Sequence, residues 1–412
     1  MSKRLILLMI LILFIASCSR SDTSSPENNT DAIEQLTVSP SETTIISPTP
    51  EMSTATLTTT PTDTPEPSPT IDLSSVYSEG GYGPVDFPEN INPLTGLPVF
   101  DPTILDRRPL AIKISNYPRG IRPQWGLSFA DIVYEYYHEG GLTRFFALFY
   151  GLDLTEVGPI RSARFTDVDL VRMYKAVFAF GSGDYRVRNR LYTDEYLNRL
   201  ASINDRPCPP STEYPLCRTD PNGWNHLLTD TQILSQHFTD KGLDNTRQNL
   251  DGMYFHLDIP EDGDAGTNIT TYYSFGDYHR WEYDSTTGGY VRYQDTVTGD
   301  QETFDVMNDR INDQPITTEN VVILLAEHSY FLREPEIFEI RLTGFGQAYL
   351  FRDGLAYEVN WVRINEGDII SVAYDDGTRF PLKPGNTWFE IVGQTTQITQ
   401  SDSDWRFDFK IP

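Results

Sequence analysis

Between Gly140 and Asp184 the chain reads GGLTRFFALFYGLDLTEVGPIRSARFTDVDLVRMYKAVFAFGSGD, and this stretch narrows the fold more than any other. It holds an apolar strand, a turn with Arg161 and Arg164, a capped helix, a buried strand and a Gly-Ser-Gly-Asp turn, the order of an α/β unit. Gly140-Gly141 is a hairpin signal joining Leu142–Tyr150 to the preceding strand Ile132–Glu139. Val133, Glu135, Tyr137 and Glu139 share one face of that strand by the two-residue period. A two-residue turn brings Leu142, Arg144 and Phe146 to the same face, so Arg144 is expected between carboxylates. Asp131, Glu135, Glu139 and Arg144 read either as an ion-pair cluster or as a polar site able to hold a cation or position a substrate.

Thr166 followed by Asp169 resembles a capping box with Asp in place of Glu, which starts a helix there. Its apolar face takes Leu170, Met173, Tyr174, Val177 and Phe178, although 176–180 reads equally well as the next strand. Arg161 and Arg164 precede this helix, whose free amides and dipole favour anions. After the 181–184 turn, Arg186 and Arg190 share a helical face within 185–200. Open α/β sheets collect ligands beyond the carboxyl ends of their strands, so Arg161, Arg164, Ser182 and Arg186 form the candidate anion-binding set. The alternative is that these arginines pair with the chain's abundant acids.

The N-terminus carries Lys3-Arg4 and then LILLMILILFIASC, a basic region and an apolar run shorter than a spanning helix needs. Ile15-Ala16-Ser17-Cys18 resembles the lipobox of bacterial lipoproteins, which implies cleavage before Cys18 and acylation of its thiol. The expected partner is therefore a membrane, reached through lipid on the extracytoplasmic face. Cys208 and Cys217 then lie in an oxidising compartment, where CPPSTEYPLC suits a short disulfide loop or two separate thiols. A net charge of -27 opposes nucleic-acid binding.

The expected map is a signal peptide over 1–18, a disordered Ser/Thr/Pro tether over 19–85, an α/β domain over 86–235, a linker over 236–269, a mainly-β domain over 270–395 and a tail over 396–412. The fold class is α+β or α/β, with the smaller β domain second. Tyr349, Phe351, Tyr357, Trp361 and Trp388 in that domain read as core or as a carbohydrate-binding face. No cofactor is evident, and a divalent cation enters only with an enzymatic reading.

At NPLTGLP, RPLAIKISNYP, QWGLSFADIVYEYYHEGGLTRFFALFYG and VGPIRSAR the chain resembles the YerB-like bacterial lipoproteins, and TGFGQAYLFRDGLAYEVNW and FPLKPGNTWFEIV look like that family's second domain. The resemblance implies paired N- and C-terminal domains of unknown function at the cell surface. The order of strands around PIRSAR is also distantly similar to the LytR-CpsA-Psr phosphotransferases, without their Pro-Arg-Asp-Thr form. Three functions follow as expectations: binding a cell-wall or surface ligand, handling phosphate in wall assembly with Asp131, Glu135 or Glu139 holding a cation, or supporting another surface protein.

Replacing Cys18 with Ala is expected to abolish acyl incorporation and leave unprocessed precursor. Metabolic labelling with a fatty acid checks this, and normal labelling of the variant contradicts the lipobox reading.

Overall fold

A computed structural model describes residues 77–411 apart from 194, 221, 222, 224 and 300. Cys18, the signal and the tether as far as residue 76 lie outside the described residues. The first half contains β1 (Leu110–Ser115), β2 (Ile132–Glu139), β3 (Leu142–Phe149), α1 (Phe165–Met173), β4 (Val177–Phe180), α2 (Tyr185–Leu191), β5 (Leu200–Ser202), β6 (Leu216–Arg218), β7 (Leu227–Thr229) and α3 (Thr231–Asp240). The rest is strands: β8 (Asp264–Ala265), β9 (Asn268–Ser274), β10 (Asp277–Asp284), β11 (Gly289–Asp295), β12 (Phe304–Val306), β13 (Thr317–Thr318) and β14 (Asn320–Leu332). These are followed by β15 (Ile337–Arg341), β16 (Gly344–Arg352), β17 (Leu355–Arg363), β18 (Ser371–Ala373), β19 (Thr387–Gly393), β20 (Gln397–Ser401) and β21 (Asp404–Asp408). The class is α+β.

Strands from both halves form one sheet in the order β18-β17-β16-β14-β19-β2-β3-β1-β4-β5, with β15 on β14 and β8 on β17. The junction is parallel: Thr387–Ile391 of β19 run in register with Ile132–Tyr136 of β2. A second sheet, β12-β11-β10-β9-β21-β20 with β13 on β11, comes from the C-terminal half alone. The alternation along each strand explains the layering. Tyr134, Tyr136, Phe146 and Phe178 face Val168, Leu170 and Met173 of α1, while Val133, Tyr137, Phe145 and Trp388 face Trp281, Tyr273 and Phe407 of the second sheet and Phe238 of α3.

Several sequence boundaries need correction. Residues 77–85 belong to the folded body rather than the tether: Tyr77 packs on Tyr82 with ring centroids 4.7 Å apart, and Tyr82 exchanges two backbone hydrogen bonds with Phe255. The two tyrosines supply apolar area that the Ser/Thr/Pro stretch lacks. The expected tail forms β20 and β21, and β21 lies parallel to β9. Trp405 and Phe407 anchor it by burial against Tyr349 and Phe351. The expected linker holds the second half of α3, and its Phe255 bridges both Tyr82 and Leu382. Tyr349, Phe351, Tyr357, Trp361 and Trp388 are all buried, so they are core and present no carbohydrate-binding face.

Glu135 of β2 and Glu390 of β19 are direct register partners and point together at the second sheet, both fully buried. Like charges placed opposite each other repel, and in a dry interior they require counterions. Arg292 of β11 donates to Glu135 at 2.8 Å, and His279 Nε2 of β10 lies 2.6 Å from Glu390. Trp281 Nε1 donates to Glu390 at 2.6 Å, Trp388 Nε1 to Glu135 at 3.2 Å, and the Thr271 hydroxyl to Glu390. Burial would raise the Glu390 carboxyl, but His279 and Arg292 hold it down at about 2. Next to them, burial and then the facing Glu135 and Asp295 push Asp277 up to about 7.

Replacing Arg292 with Met strands two adjacent buried carboxylates and is expected to cost about 3–5 kcal/mol of stability. Urea unfolding measures it, and adding Glu135→Gln and Glu390→Gln should recover much of the loss. A triple variant no more stable than Arg292→Met alone shows that neutralising these charges is not what Arg292 does.

Candidate functional site

The carboxyl ends of β1 and β4, which run parallel, open onto one corner of the large sheet. The segment after Gly158-Pro159 is laid between them. Ile160 bridges Ile114, the Arg161 amide donates to the Lys113 carbonyl at 2.8 Å, and the Gly181 amide donates to the Arg161 carbonyl at 2.8 Å. One step further the Ala163 amide donates to the Ser182 carbonyl at 2.7 Å. The two turns singled out in the sequence are therefore hydrogen-bonded side by side.

Three arginines converge here. Arg164 straddles Glu139, with Nε 2.5 Å from Oε2 and Nη2 on Oε1. Arg144 donates from Nη1 to the Ser162 carbonyl at 2.8 Å, and Arg161 Nε lies 3.4 Å from Ser115 Oγ. Burial, then repulsion from Arg164 and Arg161, pushes the Arg144 guanidinium down to about 9 despite the opposing field of Glu139. Burial and Arg164 depress Arg161 as well. Burial would raise Glu139, but His138 and Arg164 hold it well below the usual carboxylate range. His138 itself, buried and facing Arg144, is held well below the ordinary imidazole value and stays neutral.

Beneath the arginines lies a buried triad. Lys113 Nζ donates to Asp167 Oδ1 at 3.0 Å and to the Tyr136 hydroxyl at 2.5 Å, and Tyr136 donates to the same carboxylate. Burial pushes the Lys113 ammonium down to about 8 against the pull of Asp167. The second oxygen of Asp167 accepts the Arg164 amide at 2.6 Å. The helix thus starts at Phe165, capped by its own Asp167, and not at the expected Thr166–Asp169 box. Because that carboxylate occupies the amide end, an incoming anion meets guanidinium groups instead of a bare helix terminus.

The expected polar cluster is not assembled. The register runs Glu135 to Phe145 and Tyr136 to Arg144, so Arg144 points to the helix side and Glu135 to the second sheet. A bulge between Tyr137 and Glu139 resets the alternation and sends Glu139 to Arg164. The Gly140-Gly141 turn has φ of 65° and 78°, the two-residue hairpin turn that the dipeptide signals. Asp131 sits at the other end of β2, where it accepts from Asn92 at 2.6 Å and from the Tyr150 amide at 2.6 Å. Asp131, Glu135 and Glu139 therefore share no cation site.

Of the expected anion set, Arg161, Arg164 and Ser182 are brought together. Arg186 stands on α2 just beyond the second turn and is paired with Asp184 at 3.1 Å. The helix ends at Leu191 rather than near residue 200. Sequence reasoning missed Lys113, Tyr136, His138 and Asp167. The one visible signal was Lys113, a lone charge within the apolar strand LAIKIS. Cys208 and Cys217 are bonded, with Cα atoms 4.7 Å apart.

Among the described residues, ligand atoms of Glu135, His279 and Glu390 lie within 4.8 Å of one another. Arg292 already supplies the cation there, and indole, hydroxyl and guanidinium donors take up the carboxylate oxygens. The trio is thus an ion-pair network by its donor set.

Residues 94–243 match the family model described as "Protein of unknown function (DUF3048) N-terminal domain", and residues 269–389 match the corresponding C-terminal domain. The chain belongs to the YerB-like family. A Bacillus subtilis (strain 168) relative named "Putative lipoprotein YerB" is 28% identical over 311 residues, 73% of this chain and 85% of the relative. The crystal structure of YerB from Bacillus subtilis matches with a TM-score of 0.61 at 26% identity, covering 73% of this chain and 96% of that one. In this YerB-like chain, no helix among the described residues is long and apolar enough to cross a membrane.

The depressed Glu139 carboxyl has a pH consequence. Its contribution to stability is present above the ordinary glutamate value, roughly 4.3, and is lost as pH falls through the lower folded-state value. Glu139→Gln is expected to flatten the acid limb of stability against pH below about 4. An unchanged limb in urea melts over that range contradicts the assignment.

Proposed function

We propose that this chain is a lipoprotein of the cell envelope, anchored through Cys18, whose arginine corner binds an anionic group of a cell-wall or surface ligand without turning it over. The observation that carries this reading is the convergence of Arg144, Arg161 and Arg164 on one corner in a protein of net charge -27, where burial first and mutual repulsion second depress Arg144 and Arg161. An anion seated there relieves the repulsion, and guanidinium groups match carboxylate and phosphate oxygens in pairs. The name of the Bacillus subtilis relative supports the lipid anchor. A phosphate-handling enzyme is the weaker reading, because the carboxylates assigned to a divalent cation are spread over two faces and two ends of the sheet.

Calorimetric titration with inorganic phosphate tests the site. Changing Arg161 and Arg164 together to Gln is expected to remove binding, since each charge-assisted hydrogen bond contributes about 1.5–3 kcal/mol. The melting temperature should fall modestly, because the half-buried Arg164–Glu139 pair is lost, at less than the about 3–5 kcal/mol that breaking a fully buried pair costs. A large loss of stability in the variant, with no phosphate binding by the parent, sinks the proposal.

A further inference from the structure

Beneath the corner lies a nucleophile that anion binding does not use. Lys113 is the one charged residue of β1, and its fully buried ammonium meets the equally buried Asp167 at 3.0 Å. We infer that these two side chains condense in the folded protein, joining Lys113 Nζ to Asp167 Cγ as an amide and ejecting one water. The bond ties β1 to the first turn of α1 across 54 positions of sequence, and it stands independently of what the corner binds.

The geometry supplies each part of the reaction. A nucleophile held about 3–3.5 Å from its target by a rigid fold reacts as a unimolecular partner, and Nζ is fixed at that range beside the carboxyl group. The Tyr136 hydroxyl accepts from Nζ at 2.5 Å and donates to Asp167 Oδ1, so a proton leaving the ammonium has a direct path to the oxygen that departs. Oδ2 accepts the Arg164 amide at 2.6 Å, a donor already aimed at the oxygen that takes negative charge when the carbon becomes tetrahedral. In sequence, the ammonium passes one proton through Tyr136 to Oδ1, the freed lone pair of Nζ attacks Cγ, and the carbonyl electron pair moves onto Oδ2. A second proton follows the same path, the Cγ–Oδ1 bond breaks, and Oδ1 leaves as water while Oδ2 re-forms the carbonyl. One ammonium and one carboxylate become one amide and one water, with no outside reactant.

Burial favours the product. Two charges held away from water carry a desolvation cost that a neutral amide escapes, and a dry site keeps water from reversing the step. Burial, helped by Arg144 and Arg164 against the pull of Asp167, brings the Lys113 ammonium down to about 8, so the neutral amine is reached near neutral pH. Lys383 and Asp353 form a comparison within the same molecule. They lie 2.8 Å apart but are partly exposed, and Nζ donates to the Gly288 carbonyl, which relays no proton. The buried Arg292–Glu135 pair cannot take this route, because a guanidinium keeps its proton.

Mass spectrometry of the digested full-length protein tests the inference. A branched peptide joining the Lys113 and Asp167 segments, lighter than their sum by one water, is expected in place of most of the two unlinked peptides. The Lys383 and Asp353 peptides are expected to remain unlinked. Tyr136→Phe keeps the ring and removes the relay, so most of the branched peptide should be lost while the variant still melts cooperatively. Finding only unlinked Lys113 and Asp167 peptides in the parent overturns the inference, whatever the variant does. Equal linkage at Lys383–Asp353 overturns the argument from burial and relay, and undiminished linkage in Tyr136→Phe overturns the proton path.

Discussion

Two carboxylates that stand side by side at the seam of the large sheet constrain the rest of the structure. Glu135 and Glu390 are neighbours because β2 and β19 pair in parallel, and they are dry because the second sheet covers them. Such a pair is tolerable only if its counterions come from outside the sheet. Arg292 supplies the cation from β11, His279 of β10 adds a hydrogen bond to Glu390, and Trp281 and Trp388 add indole donors while packing at 5.1 Å. The sheet seam and the stacking of the sheets are therefore satisfied by one set of contacts. The N-terminal segment is tied electrostatically to two separate parts of the C-terminal segment, so the two family domains share a core and a charge balance.

The network also reaches outward. Arg292 donates to Gln294, Gln294 donates to Asp295, and Asp295 is held by Arg119 and Arg122. Those two arginines close a cleft of about 390 Å³ in which their hydrogen bonds are spent on Asp295, Asn116 and nearby carbonyls. At the cleft two arginines meet a buried acid and several carbonyls, and at the corner Arg164 is paired with Glu139 while Arg144 donates to the Ser162 carbonyl, above the Lys113–Asp167 pair.

Much of the architecture was legible because it depends on local patterns. Period-two alternation marked β2 and most C-terminal strands, apolar runs marked β1 and β3, and Gly140-Gly141 marked its hairpin. The turns bearing Arg161 and Ser182 were recognisable by composition, and their juxtaposition followed from an α/β unit. The polar cluster failed for a specific reason. Its logic ran through a perfect hairpin register, and one bulged residue, His138, reversed the face of Glu139, while the register itself set Arg144 opposite Tyr136. Nothing in YYHEGG announces that extra residue.

From the sequence alone follow the resemblance to a lipobox, the short strands and the two turns that bear Arg161 and Ser182, since each is written in a few neighbouring residues. Tertiary structure alone decided that β19 inserts beside β2, that residues 404–408 return to pair with β9, and that Glu135 meets Arg292 from 157 positions away. Pairings of that range depend on which strand edges remain open once local elements have formed, and on where a buried charge finds its counterion. Neither condition is a property of any short window of sequence, so the arginine corner was foreshadowed by its turns while the core that positions it was not.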